Sequence, residues 1–280
     1  MTSLTASSSG QDRRTAARPA LVALLNAEWI KLRTTRSTYC AVAAALVLGL
    51  GVGLMDVISI TGHWAAMNAS DRAQAQFDPV GDSLSGFQLG ELALGALGVL
   101  AVTSEYSTGM IRTTLTATPR RSRVYLAKAV TLGAFALVVS QLLAFSAFLL
   151  GQLVLRRQHL EVSVTDTHAL RAVTCAGLYM TLVTMVGFGL GALLRHTAGA
   201  LAAVFGLVFL TYPIARAFEG STYLPDHLTL TNAADSLATL KPPGGPHAAR
   251  IPSLGFALFD LGLYLVVFVG AGAWRARRDA

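Results

Sequence analysis

Charge is scarce in this sequence. Asp, Glu, Lys and Arg make up 13% of 280 residues, about half of the roughly 25% that an ordinary soluble domain carries. That is too little to wet the surface of a soluble globule, and a disordered chain would need more charge and less apolar content. Cysteine is rarer still. Cys40 and Cys175 each lie inside an apolar block, which excludes a disulfide-stapled module and reads as two small buried residues. Of 22 basic residues only Lys31, Lys128 and Lys241 are lysines, followed by Leu32, Ala129 and Pro242. A phosphate-binding loop needs Gly-Lys-Ser/Thr, so this chain cannot hydrolyse ATP itself. HExxH and CxxC are absent, and Gly81-Asp82-Ser83-Leu84-Ser85 lacks the second glycine of a nucleophile elbow. His63, His159, His168, His227 and His247 have no metal-ligand spacing. The first twenty residues lack the apolar stretch of a signal peptide and read as a disordered cytosolic tail.

Long apolar runs are what the sequence has instead. Hydrophobic residues reach 53%, with a mean hydropathy of +0.55. They fall in six blocks, at 40–60, 86–104, 126–154, 172–194, 197–215 and 254–274. A bilayer-crossing helix needs about 20 such residues, and runs without alternation mean helices rather than barrel strands. The expected fold is therefore an all-α polytopic membrane protein of six spans, with a long tilted third span and Pro213 ending or kinking the fifth. Six spans put both termini on one side. With the termini inside, that side holds fifteen basic and four acidic residues and the other holds seven and eight. The positive-inside rule then makes the termini cytosolic. The net charge of +7 becomes an inner-face property suited to anionic lipid headgroups, with no sign of a nucleic-acid partner. Nineteen arginines and many alanines suit a GC-rich bacterial genome.

Three acids remain inside spans: Asp56, Glu91 and Asp260, each near the outer end of its helix. Intramembrane acids face the bundle interior and find partners, and Arg171 and Arg216 stand at suitable span ends. These acids are candidates for a translocation path that favours cationic or zwitterionic cargo. Glycine pairs at four-residue spacing (Gly49/Gly53, Gly86/Gly90, Gly187/Gly191) suit close helix packing, within the bundle or at a dimer seam. The outer connection 216–253 is too long for a turn. Its stretch 228–240 has room for a short helix, with a cap in the Asn232–Asp235 region.

On the inner face, residues 20–39 place Leu21, Leu25, Trp29 and Leu32 along one stripe, with Glu28 spaced to pair with Lys31. This reads as an amphipathic helix lying in the membrane interface. Residues 104–128 leave the second span through Glu105 and Tyr106 and give a short apolar face at Met110, Ile111 and Leu115. They stop at Pro119 and re-anchor through Arg120, Arg121, Arg123 and Lys128.

In order and spacing, these pieces resemble a permease of the type-2 ATP-binding-cassette exporter family. The resemblance rests on Glu28-Trp29-Ile30-Lys31-Leu32-Arg33, then on Glu105, Gly109-Met110-Ile111-Arg112, Pro119, Arg123 and Lys128. The closing Trp274 and its basic tail complete it. It implies a permease subunit that forms the pore with a second copy or paralogue. Separate cytosolic ATPases would hold the ATP and Mg, with no cofactor on this chain. It further implies that the 105–118 segment is the coupling helix, with the interface helix beside it. The contact would run through Glu105, Tyr106, Gly109, Met110, Ile111, Arg112 and Leu115. Two other classes compete: a non-transporting membrane partner or immunity subunit, and an ATP-independent secondary carrier. The latter usually carries internal repeats and interrupted helices at mid-depth.

Overall fold

The computed structural model describes residues 21–68, 70, 77–107, 121–217, 229–238 and 253–278. They form helices α1 (Leu21–Thr34), α2 (Arg36–Ala66), α3 (Pro79–Ser83), α4 (Phe87–Ser107), α5 (Arg121–Leu155), α6 (Thr167–Leu194), α7 (Thr197–Phe205), α8 (Thr211–Ala217), α9 (Leu230–Ala238) and α10 (Leu254–Arg278). A 3-10 turn follows α5, and a π-helical turn, Gly206–Leu210, joins α7 to α8. No strand occurs among the described residues. Five helices are long and apolar enough to cross a membrane: Arg36–Trp64, Phe87–Ser107, Ser122–Gln158, Thr167–Leu194 and Leu254–Arg278. Each covers one of the expected blocks.

The fifth expected block differs. Its apolar helix, Thr197–Leu210, is shorter than a span, and the chain goes on helically through Pro213 to Ala217. Proline removes an N–H and crowds the carbonyl four residues back. That carbonyl belongs to Phe209, inside the π turn, where the wider winding accommodates it. The proline therefore marks a break in winding, and the helix does not end there.

Helix α6 is the centre of the bundle. It buries 18 of its 28 residues and packs against α4, α5 and α10. Asp166 starts it by accepting a 2.8 Å hydrogen bond from the His168 N–H, which satisfies an end donor that helix geometry leaves open. Glycine permits the closest crossing. A Cβ at Gly98 would collide with the Thr184 carbonyl of α6, and one at Gly86 with the Gly49 carbonyl of α2. The Gly49, Gly86 and Gly187 positions expected to serve close packing thus lie at crossings within this chain. Helices α2 and α10 are peripheral and expose Val47, Met55, Ile58, Phe259, Val266 and Val267, an apolar exterior that suits lipid. Cys40 is exposed on α2 and Cys175 half-buried, both free. The expectation of two buried cysteines fails at Cys40, because an apolar block in a membrane has a face turned outward.

Between α1 and α2 stands a single extended residue, Thr35, so the first helix ends at Thr34 and residues 36–39 belong to α2. The helix expected within 228–240 exists as α9. Its cap is Thr229, whose Oγ1 accepts from the Asn232 N–H at 3.3 Å, and not a residue of the Asn232–Asp235 region. Leu230, Ala233 and Leu237 turn its apolar side onto α6 and α10.

Candidate functional site

Two polar sites occupy opposite ends of α4. Glu91 lies near its start and Glu105 near its finish, so at about 1.5 Å per residue they are roughly 21 Å apart.

At the Glu105 end, four charges from three helices close into a cluster. Glu28 of α1 accepts from Lys31 Nζ at 2.8 Å and from Lys128 Nζ at 2.6 Å. Glu105 Oε1 accepts from the same two ammonium groups, at 2.9 Å from Lys31 and 2.8 Å from Lys128. Glu28, Glu105 and Lys128 are buried, while Lys31 keeps one flank open. Burial works to lower the Lys31 pKa, but hydrogen bonds and charge from Glu28 and Glu105 outweigh it and hold the group above its ordinary 10.5. Desolvated charges this close are tolerated only when each is paired and hydrogen-bonded. Here two acids and two bases balance. A cavity of about 100 Å³ adjoins the cluster, lined also by Thr35, Thr38 and Ser104.

The Glu28–Lys31 pair is the one the spacing predicts. Lys128 is the correction: it does not anchor the chain at a charged surface but sits buried on α5, bridging α1 to α4. Two of the three lysines in the chain meet here. A lysine within the first turns of an apolar span needs carboxylates at its own depth, and Glu105 closes the preceding span at that depth. The α1 stripe is divided between two environments. Leu32 turns into the protein together with Glu28, while Leu21 and Trp29 are exposed. The helix turns its acid inward because Lys128 is there to receive it. Trp29 touches Phe135 of α5 edge-on at 6.1 Å, and the Arg33 guanidinium lies 5.8 Å from the Trp29 ring.

Tyr106, next along α4, lies under Arg195, whose guanidinium is 5.2 Å from the ring centre. Arg195 caps α6 with φ 56°, the left-handed conformation that favours glycine. The end of α4 is therefore held twice: at Glu105 by α1 and α5, and at Tyr106 by the α6–α7 joint. Gly109, Met110, Ile111, Arg112 and Leu115 lie outside the described residues.

At the other end of α4, a partly open cavity of about 310 Å³ is lined by residues of α3, α4, α6, the π turn and α9. Asp78, Asp82 and Glu91 line it, together with Phe87, Tyr179 and Phe209. Asp78 caps α3, accepting from Val80 N–H at 3.1 Å and Gly81 N–H at 3.2 Å. Burial pushes the Asp82 pKa up to about 6, helped by the charges of Asp78 and Asp56, against a lowering hydrogen bond from the Asp78 N–H. Of the three intramembrane acids, Glu91 lines this cavity and Asp56 lies within electrostatic reach of it. Asp260 does not join them. It is fully buried, between Ala257 and Leu261 on α10, and among the described residues no hydrogen bond reaches either carboxylate oxygen. Arg171 forms no ion pair with Asp56, Glu91 or Asp260 among the described residues, and the Arg216 side chain lies outside them. Asp78 and Asp82 went unselected in the sequence because they precede α4 and belong to no span. Among the described residues no group of three or more His, Cys, Asp or Glu is placed to hold a metal.

Residues 24–213 match the family described as ABC-2 family transporter protein. The chain belongs to that family. The match runs from within α1 through α7 and the π turn into α8, and so takes in both the charge cluster and Glu91. No curated protein gives a match. As an ABC-2 type permease, the chain is a multi-pass membrane component of a transporter and not itself the catalytic subunit.

Proposed function

We propose that this chain is the pore-forming subunit of an ATP-driven bacterial exporter in the plasma membrane. In this reading two such subunits, identical or paralogous, enclose the pathway. Cytosolic ATPase chains hold the ATP and Mg and drive it. The helical run 197–217, which includes the π turn, serves as the fifth of six spans and leaves both termini cytosolic. The interface helix α1 lies on the inner leaflet, and segment 105–118 takes the thrust of the ATPase.

The Lys128-centred cluster carries this reading. A segment that transmits force must be rooted rigidly, and bistable packed elements transmit displacement where flexible loops absorb it. The residues just before 108 are rooted in two other helices by buried ion pairs, so a push on that segment would move α1, α4 and α5 together. The outer-end acids Asp56, Glu91 and Asp260 would then lie along the exit route.

Co-purification of the full chain with a cytosolic ABC ATPase tests the proposal. The pair is expected to hydrolyse ATP in proteoliposomes and to lose that partnership on Glu105→Ala or on deletion of 109–115. Cargo movement by the purified chain without any ATPase would overturn it.

A further inference from the structure

The 310 Å³ cavity holds a carboxylate that the fold leaves without a counter-ion among the described residues. Asp82 accepts one hydrogen bond, from the Asp78 N–H at 3.3 Å, and no basic side chain among those residues pairs with it. Ser85, one turn on, lines the same cavity, and its Oγ is shielded from solvent with no hydrogen-bond partner among them. The walls around this polar patch are aromatic: Phe87 from α4, Tyr179 from α6 and Phe209 from the π turn. The π turn brings two consecutive residues, Val208 and Phe209, to the cavity, and such turns gather at functional sites.

We propose that this cavity binds a small organic ammonium ion, with the cationic head on Asp82 and its apolar body against Phe87 and Phe209. The volume stands at the lower end of small-molecule pockets, about 300–1,000 Å³. A carboxylate beside aromatic faces is the combination that recognises an ammonium ion, since ring faces and the anion both attract positive charge. Anionic ligands are repelled by Asp82. A bare divalent ion would want six or more oxygen ligands, which an aromatic wall does not supply. As a statement about cargo the inference rests on the transporter reading; as a statement about binding it does not.

The test uses the full chain in detergent or nanodiscs with benzyltrimethylammonium, whose charge is permanent, and calorimetric titration. Saturable binding is expected, weakened about tenfold by Asp82→Asn and by Phe209→Ala. In the unmutated chain the affinity should rise as pH passes through about 6, because only the protein titrates. The groups facing the probe are Asp78 and Asp82 from α3, Glu91 from α4 and Tyr179 from α6, with Ala234 from α9 and Asp56 acting from α2. The neutral isostere neopentylbenzene should not compete. Absence of saturable binding, an affinity in both variants unchanged from that of the unmutated chain, or equal competition by the isostere would overturn the proposal. The two variants lie on different elements and the pH series needs neither, so a folding failure in one still leaves a decisive measurement. Should the ATPase partnership fail while binding holds, the transporter reading falls and the site stands.

Discussion

Lys128 Nζ lies 2.8 Å from Glu105 Oε1 across 23 residues of chain, and the same nitrogen lies 2.6 Å from Glu28 Oε2. One ammonium group thus ties the start of α5 to the end of α4 and to α1. Whatever the segment after Ser107 does, its root moves with three helices.

Removing that ammonium leaves two buried carboxylates sharing the single, half-exposed ammonium of Lys31. Lys128→Met is expected to cost about 3–5 kcal/mol, the range for breaking a buried pair by deleting one partner. Replacing Glu28, Glu105 and Lys128 together by Gln, Gln and Met should recover part of that loss, because no uncompensated buried acid remains. Thermal unfolding in a fixed detergent measures both. A single variant as stable as the unmutated chain would show that the cluster is solvated.

The glycine at the α4–α6 crossing should tolerate no side chain. Gly98→Ala drives a Cβ into the Thr184 carbonyl, and overpacking of this kind costs about 1–3 kcal/mol. Gly262→Ala on α10, where a Cβ meets nothing within 4 Å, should be neutral or slightly stabilising by helix propensity. Comparing the two melting temperatures separates close packing from a general intolerance of alanine.

Arg195 combines an unfavourable backbone with a favourable ring contact. Arg195→Gly relieves the left-handed conformation, worth about 1 kcal/mol, and loses about 0.5–1 kcal/mol of attraction to Tyr106. Arg195→Ala loses the attraction and keeps the strain. The glycine variant should therefore melt close to the unmutated chain and the alanine variant measurably lower. An inverted order would mean that φ at 195 is relaxed in solution.

Asp82 sets a pH dependence. Its folded-state pKa of about 6 stands above the ordinary 3.8, so ionisation penalises the fold at pH above about 6 and the penalty vanishes below about pH 4. Asp82→Asn should raise the melting temperature at about pH 7.5 and change it little near pH 4. A constant difference across that range would place Asp82 in water.

The sequence by itself determined the helices and their solvent. Span length and hydropathy are local quantities, and each of the six apolar blocks corresponds to helix. Pro213 signalled the irregular fifth block, because a missing N–H is also a local fact. Spacing alone paired Glu28 with Lys31. What only the tertiary structure decided is which charges meet across chain distance and which faces turn inward. Lys128 looked like a surface anchor because its neighbours are basic, yet the crossing of α1, α4 and α5 brings two carboxylates to it. Burying a charge is favourable only when its partners arrive from elsewhere. Asp82 lay in a connection and drew no notice until α3, α6 and the π turn came together around it. Helical period cannot tell a lipid-facing side from a protein-facing one when both are apolar, so Cys40 turned outward. Partnership among distant residues is a property of packing, and no window of sequence contains it.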